Sequence, residues 1–148
     1  MRGSLRFVPG KVSDRFAMSS TTPAIDDARV WVSAHLRADG ASADTIWEVE
    51  LALTEALSNV IRHAYAGREN GKIELELQLD SERLELEIVH YGEPFDAASY
   101  RPPDLDALGA GGYGLHLIAQ LMDEVEQGDA AGQGTCLRLV KHRRRERA

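Results

Sequence analysis

Two runs of alternating residues constrain this chain more than any other feature. Ile73, Leu75, Leu77 and Leu79 alternate with Glu74, Glu76 and Gln78; after Asp80-Ser81, Leu84, Leu86 and Ile88 alternate with Glu85 and Glu87. A period of two sends successive side chains to opposite faces of a strand. The pattern therefore specifies an antiparallel hairpin with one face on a core and one acidic face in water. A lone hairpin is marginal in water, so another layer has to cover its apolar face. That layer is written upstream, where Ile46, Trp47, Leu51, Leu53, Leu57, Val60, Ile61 and Ala64 recur at helical spacing. Ser42 or Asp44 is placed to cap this helix, and Ala66-Gly67 to end it.

The same reading extends to both sides. A first helix is expected over residues 24–36, with Ala28, Val30, Trp31, Ala34 and Leu36 on its apolar face and Asp39-Gly40 as its stop. Ahead of it, Leu5-Arg6-Phe7-Val8 and Phe16-Ala17-Met18 each suit a short edge strand. Residues 91–112 show no period and are rich in Gly, Pro and Asp; so long a loop in a compact domain is usually functional, often a lid. A helix resumes at Tyr113 and ends around Asp123. Strands at 124–127 and 135–140 then flank a turn at 128–134. The expected architecture is α+β: a two-layer sandwich with a mixed, mostly antiparallel sheet and helices on one face. A single domain over residues 1–148 is expected, with a core of about 24–141, an N-terminal strand or arm over 1–23 and a basic tail over 142–148.

Charge narrows the function. The net charge is −7, yet residues 141–148 hold five Lys or Arg and one Glu, which leaves −11 on the first 140 residues. So acidic a body lacks the basic footprint that neutralises phosphates, and direct nucleic-acid binding is not expected. No stretch reaches the length of a membrane span, and no apolar signal block opens the sequence. The single Cys136, in an apolar strand-like run, reads as a buried, inert thiol, and a cytoplasmic setting is expected.

Two places carry residues suited to chemistry. Glu55 and Asn59 stand four apart, on one face of the second helix, and interrupt an otherwise apolar segment; Arg62 and His63 continue the polar side. Gly111-Gly112-Tyr113-Gly114 leads directly into an apolar helix. Glycines there let backbone N–H groups approach a phosphate, whose charge a helix N-terminus favours.

In combination these features resemble the GHKL ATPase superfamily and, within it, the anti-sigma-factor serine kinases of bacterial partner-switching systems. Four motifs stand in order between residues 24 and 141. They are Glu55-Ala56-Leu57-Ser58-Asn59, then His90-Tyr91-Gly92-Glu93-Pro94-Phe95-Asp96, then Gly111-Gly112-Tyr113-Gly114-Leu115-His116-Leu117-Ile118, and finally Gly134-Thr135. The resemblance implies the Bergerat (GHKL) ATPase fold and a protein serine/threonine kinase that uses ATP and Mg²⁺. It implies that Asn59 holds the Mg²⁺ and that Glu55 is the general base for a substrate hydroxyl. It also implies that Arg62 meets phosphate, that His63 packs beside the site, and that Gly111, Gly112, Tyr113, Gly114 and Leu115 line the phosphates. Gly92 would give the adenine room, and Thr135 would help fix it. The implied partners are a sigma factor and a STAS-type antagonist protein, with a homodimer as the assembly.

One position departs from the family pattern. Where the family has an Asp that accepts a hydrogen bond from the adenine amine, this chain has His90. A neutral imidazole offers one acceptor nitrogen in place of an ionised carboxylate. Losing such a contact costs about 1.5–3 kcal/mol, roughly ten- to a hundredfold in affinity. Two functions therefore follow: a partner-switching kinase, or a protein-binding regulator of the same fold with impaired nucleotide binding.

Overall fold

A computed structural model describes residues 11–92, 110–130 and 134–143, and within 110–115 the backbone alone. In chain order the elements are β1 (Lys11–Ser19), α1 (Thr22–Ala38), α2 (Ala43–Asn59), β2 (Lys72–Asp80), β3 (Arg83–His90), α3 (Ala110–Leu121), β4 (Glu124–Asp129) and β5 (Thr135–His142). A π-helical turn, Val60–Ala64, continues α2.

The hairpin forms as its alternation dictates. Leu75 opposes Ile88 and Leu77 opposes Leu86 across β2 and β3, and all four are at most 1% exposed. Each such side chain contributes about 1.5–3 kcal/mol by leaving water. On the other face Glu85 accepts a hydrogen bond from Arg138 of β5, and Arg15 of β1 lies 3.4 Å from Glu76.

Strand order is β1-β2-β3-β5-β4, and every pairing is antiparallel. The sequence pattern predicts a mixed, mostly antiparallel sheet, and the antiparallel part of that expectation holds throughout. The α3 crossover does set β4 parallel to β3, but β5 folds back between them and leaves no parallel neighbours. The edge strand expected at 16–18 is the nine-residue β1, paired with β2 along its whole length. Residues 11–19, within the N-terminal strand or arm expected over 1–23, are a strand of the sheet. The strand expected at 5–8 lies outside the described residues, as do residues 93–109 of the expected lid, Asp96 among them.

Caps set the helix starts. Thr21 Oγ1 accepts from Ala24 N at 3.3 Å, and Pro23 occupies the first turn, so α1 begins two residues ahead of expectation. Ser42, rather than Asp44, caps α2 by accepting from Thr45 N at 3.1 Å. Gly40, at φ +78°, ends the intervening turn.

The buried stripe of α1 is Ile25, Ala28, Val32 and Leu36. Val30 and Ala34, expected on that face, are exposed; Val30 is 70% so. Position 30 lies about 200° round the helix from Ala28, which turns it to water. Trp47 is likewise 59% exposed, while Ile46, Val49, Leu53 and Leu57 are buried in the core. Cys136, expected buried, is half-buried, because it sits on the uncovered sheet face opposite Val89 and Gly128. No helix among the described residues is long and apolar enough to cross a membrane.

Candidate functional site

The site grows from the C-terminal end of α2. Its last residue, Asn59, is 2% exposed, and its side-chain Nδ2 has no hydrogen-bond partner among the described residues. Glu55, one turn earlier, is half-buried. Beyond Asn59 the backbone loosens into the π-turn, where Tyr65 N donates to Val60 O at 3.1 Å. Such widened turns recur at functional sites because they re-aim the residues that follow.

Tyr65 is what the turn delivers. Its hydroxyl donates to Lys72 O at 2.5 Å and accepts from Tyr91 N at 2.8 Å, so one side chain ties the start of β2 to the end of β3. Its ring meets His90 edge-on, with centroids 6.3 Å apart. A Cβ on Gly92 would stand 2.3 Å from Ala64 O, and one on Gly71 would stand 2.6 Å from the Tyr65 ring. Both glycines are therefore required by close approach of backbone and ring. Sequence reasoning missed Tyr65 and Gly71. The sequence does hold Tyr65 and Gly71 on either side of the 66–70 turn, but nothing in it says that they touch.

His90 closes β3. It opposes Ile73 on β2 and Thr135 on β5. The residue is 1% exposed and its Nδ1 has no partner among the described residues. Burial pushes its pKa below the ordinary histidine value, which keeps the imidazole neutral near pH 7. Thr135 is 9% exposed beside it.

The structure brings His90, Thr135 and Gly92 together with Tyr65, at the end of the turn that Asn59 begins. Arg62 and His63 are exposed on that turn. Arg62 faces a separate open cleft of about 560 Å³, lined also by Thr22, Ile25, Ser58, Ile61, Ala66 and Gly67. Gly111, Gly112, Tyr113, Gly114 and Leu115 all lie in α3, which begins at Ala110 rather than at Tyr113, so the glycines form part of its first two turns.

Among the described residues three buried side-chain polar atoms lack a partner: Asn59 Nδ2, His90 Nδ1 and Arg143 Nε. Arg143 is otherwise held, with its guanidinium on Asp39 and on Asp80 O. An unsatisfied buried polar group costs about 1–3 kcal/mol. Asn59 and His90 thus carry a cost that a bound polar molecule would relieve. Mg²⁺ typically keeps several waters and takes only one or two protein ligands besides substrate phosphates. The Oδ1 of a single Asn carboxamide fits that habit, while its unpaired Nδ2 is a donor that suits a phosphate oxygen rather than a cation; a neutral imidazole beside an aromatic edge fits a heterocyclic base.

Comparison with known proteins gives a family and a fold. The histidine kinase-like ATPase domain family matches residues 18–141. The serine-protein kinase RsbW of Oceanobacillus iheyensis is 33% identical over 107 residues, covering 67% of this chain and 68% of that protein. Its namesake in Bacillus licheniformis is 33% identical over 116 residues, covering 73% and 71%. The solved RsbU and RsbW domains of Rv1364c from Mycobacterium tuberculosis share the fold, with a TM-score of 0.63 at 19% identity over 87% of this chain and 31% of that one.

Proposed function

The chain belongs to the histidine kinase-like ATPase domain family, and we propose that it is a serine/threonine protein kinase that uses Mg-ATP and acts as an anti-sigma factor. One observation carries the nucleotide half of this reading. Asn59, just ahead of the π-turn, and His90, against the Tyr65 ring just after it, each present a buried unpaired polar atom among the described residues. The kinase half is supported by similarity to two proteins named serine-protein kinase RsbW.

Bound Mg-ATP would supply the phosphoryl group and the charge neutralisation that its transfer needs. The residues of this chain do the rest. Glu55 would accept the proton of a substrate serine or threonine hydroxyl as the γ-phosphoryl group of ATP passes to that oxygen and ADP leaves; Asn59 would hold the metal by its side-chain oxygen. Amides of Gly111 and Gly112, in the first turn of α3, would face the phosphates, while those of Tyr113, Gly114 and Leu115 fall in the helical ladder behind them. Gly92, Thr135 and His90 form the base end, while Arg62 and His63 flank the phosphate end. The partners are a sigma factor and an STAS-type antagonist in the cytoplasm, with a homodimer as the working unit.

Incubation with Mg-ATP and a candidate antagonist, with Glu55→Ala as control, tests the kinase. Phosphoserine or phosphothreonine that forms only with the unmodified chain supports it, and none in either sample removes the kinase. His90 favours one second reading, a regulator that binds proteins but holds nucleotide poorly. Calorimetry with ATP and ADP separates the two: micromolar binding by the unmodified chain rules out the second reading.

A further inference from the structure

At the base end of the site one buried side-chain atom has no partner among the described residues. The Tyr65 hydroxyl already donates to Lys72 O and accepts from Tyr91 N. Gly71 and Gly92 bring backbone and ring together and add no polar side chain of their own. Nδ1 of His90 remains, in a ring that is 1% exposed and has no partner for that atom among the described residues.

Its chemistry differs from that of a carboxylate in one decisive way. An ionised carboxylate only accepts, so it selects a base edge that donates, such as the amine of adenine, and repels the carbonyl oxygen of guanine. A neutral imidazole is ambivalent: Nδ1 accepts in one tautomer and donates in the other. Burial keeps this ring neutral, and the lack of any partner on Nδ1 leaves its tautomer to be chosen by whatever binds. A reader of this kind does not repel either purine edge, and discrimination rests mainly on repelling the wrong one.

We propose that His90 makes this a purine site of relaxed base specificity, one that takes ATP and GTP with similar affinity. The inference rests on the nucleotide-site reading above, and it concerns the choice of base alone. The aromatic edge of Tyr65 suits any flat ring, and the phosphate-facing elements are indifferent to the base.

The test is direct titration of the full chain with ATP and with GTP in excess Mg²⁺, by calorimetry, on the unmodified protein, His90→Asp and His90→Asn. The unmodified protein is expected to hold the two nucleotides within about fivefold of each other, since neither edge is repelled. His90→Asn keeps both a donor and an acceptor and should stay within the same range. His90→Asp should move the ratio toward ATP by about ten- to a hundredfold, because its carboxylate repels the guanine oxygen. A thirtyfold or greater preference for ATP in the unmodified protein, on the order of 2 kcal/mol, overturns the inference and leaves the nucleotide site standing. So does an even ratio that His90→Asp leaves unmoved, since His90 would then only fill space beside Tyr65. No binding of either nucleotide by any of the three overturns the inference together with the nucleotide reading. If His90→Asp fails to fold, the ratios of the other two proteins still decide.

Discussion

Replacing Gly92 with alanine would set a methyl carbon 2.3 Å from Ala64 O, 2.7 Å from Ala64 C and 2.9 Å from Tyr65 Cδ1. Real Cβ contacts begin well beyond those distances, so something has to move. Two of the three atoms are backbone of the π-turn, and the third belongs to a ring fixed by two hydrogen bonds at its hydroxyl. None can swing away as the end of a flexible side chain could. Overpacking of this kind costs about 1–3 kcal/mol, and the rigidity of the neighbours puts Gly92→Ala at the upper end. For a domain of this length that lowers Tm by roughly 5–10 °C. Gly128→Ala is the control, because nothing lies within 4 Å of a Cβ there; it should change stability by less than about 0.5 kcal/mol. Urea denaturation of both variants without nucleotide measures the difference as a shift in midpoint at constant slope. The family resemblance alone gives Gly92 the task of making room for a base, and on that view Gly92→Ala would lose nucleotide while keeping its apo stability. A Gly92→Ala protein as stable as the Gly128→Ala control would refute the packing argument.

Asn59→Ala should behave in the opposite way. Its Nδ2 makes no hydrogen bond to lose, so apo stability should change by less than about 1 kcal/mol, while the rise in Tm on adding Mg-ATP should vanish; a retained rise in a thermal-shift assay counts against Asn59 as a ligand-holding residue. Burial lowers the His90 pKa, so the unfolded chain binds more protons than the folded one as pH falls below about 6.5. Stability from the neutral ring is complete above that value and is lost toward the folded one. The unmodified chain should therefore lose more stability than His90→Gln between pH 7.5 and 5.5, and equal losses in chemical denaturation would contradict this. Asp14 fastens β1 to α1 by accepting from Trp31 Nε1 at 3.0 Å and pairing with His35 Nε2 at 2.7 Å. Desolvation raises its pKa, but the hydrogen bonds from Trp31 and His35 outweigh it and leave the carboxyl lowered. Asp14→Ala should cost about 1–2 kcal/mol and expose the amides of β1 to hydrogen exchange before those of β3.

What could be read from the sequence divides along physical lines. The alternation in β2 and β3 and the long apolar stripe of α2 state their structure because burial itself imposes the period. The motifs on α2 and at Gly111 to Gly114 were equally plain, since their residue types interrupt that pattern. Three things were not legible. Val30 and Trp47 fall near the apolar stripe in sequence, and only the actual stripe of α1 and α2 turns them to water. The insertion of β5 between β3 and β4 depends on which strand fills the gap left by the α3 crossover, and no local pattern records that choice. Tyr65 carries no period at all: its value comes from contacts with Lys72 and Tyr91 across two strands.

The π-turn is where these levels meet. Had α2 continued as a regular helix through Ala64, the residues after Asn59 would have kept an α-helical pitch, with about 100° between neighbours. The widened turn changes that phase within five residues. It brings the Ala64 carbonyl against Gly92 and the Tyr65 ring against His90, while Asn59, one residue ahead of the turn, keeps the α-helical placement it shares with Glu55. The same short segment thus leaves Asn59 at the end of α2 and sets the Tyr65 ring against His90. Close backbone contact makes Gly92→Ala a test of packing, whereas Asn59 and His90, each with an unpaired buried atom among the described residues, are the positions whose substitution tests what the proposed site would hold.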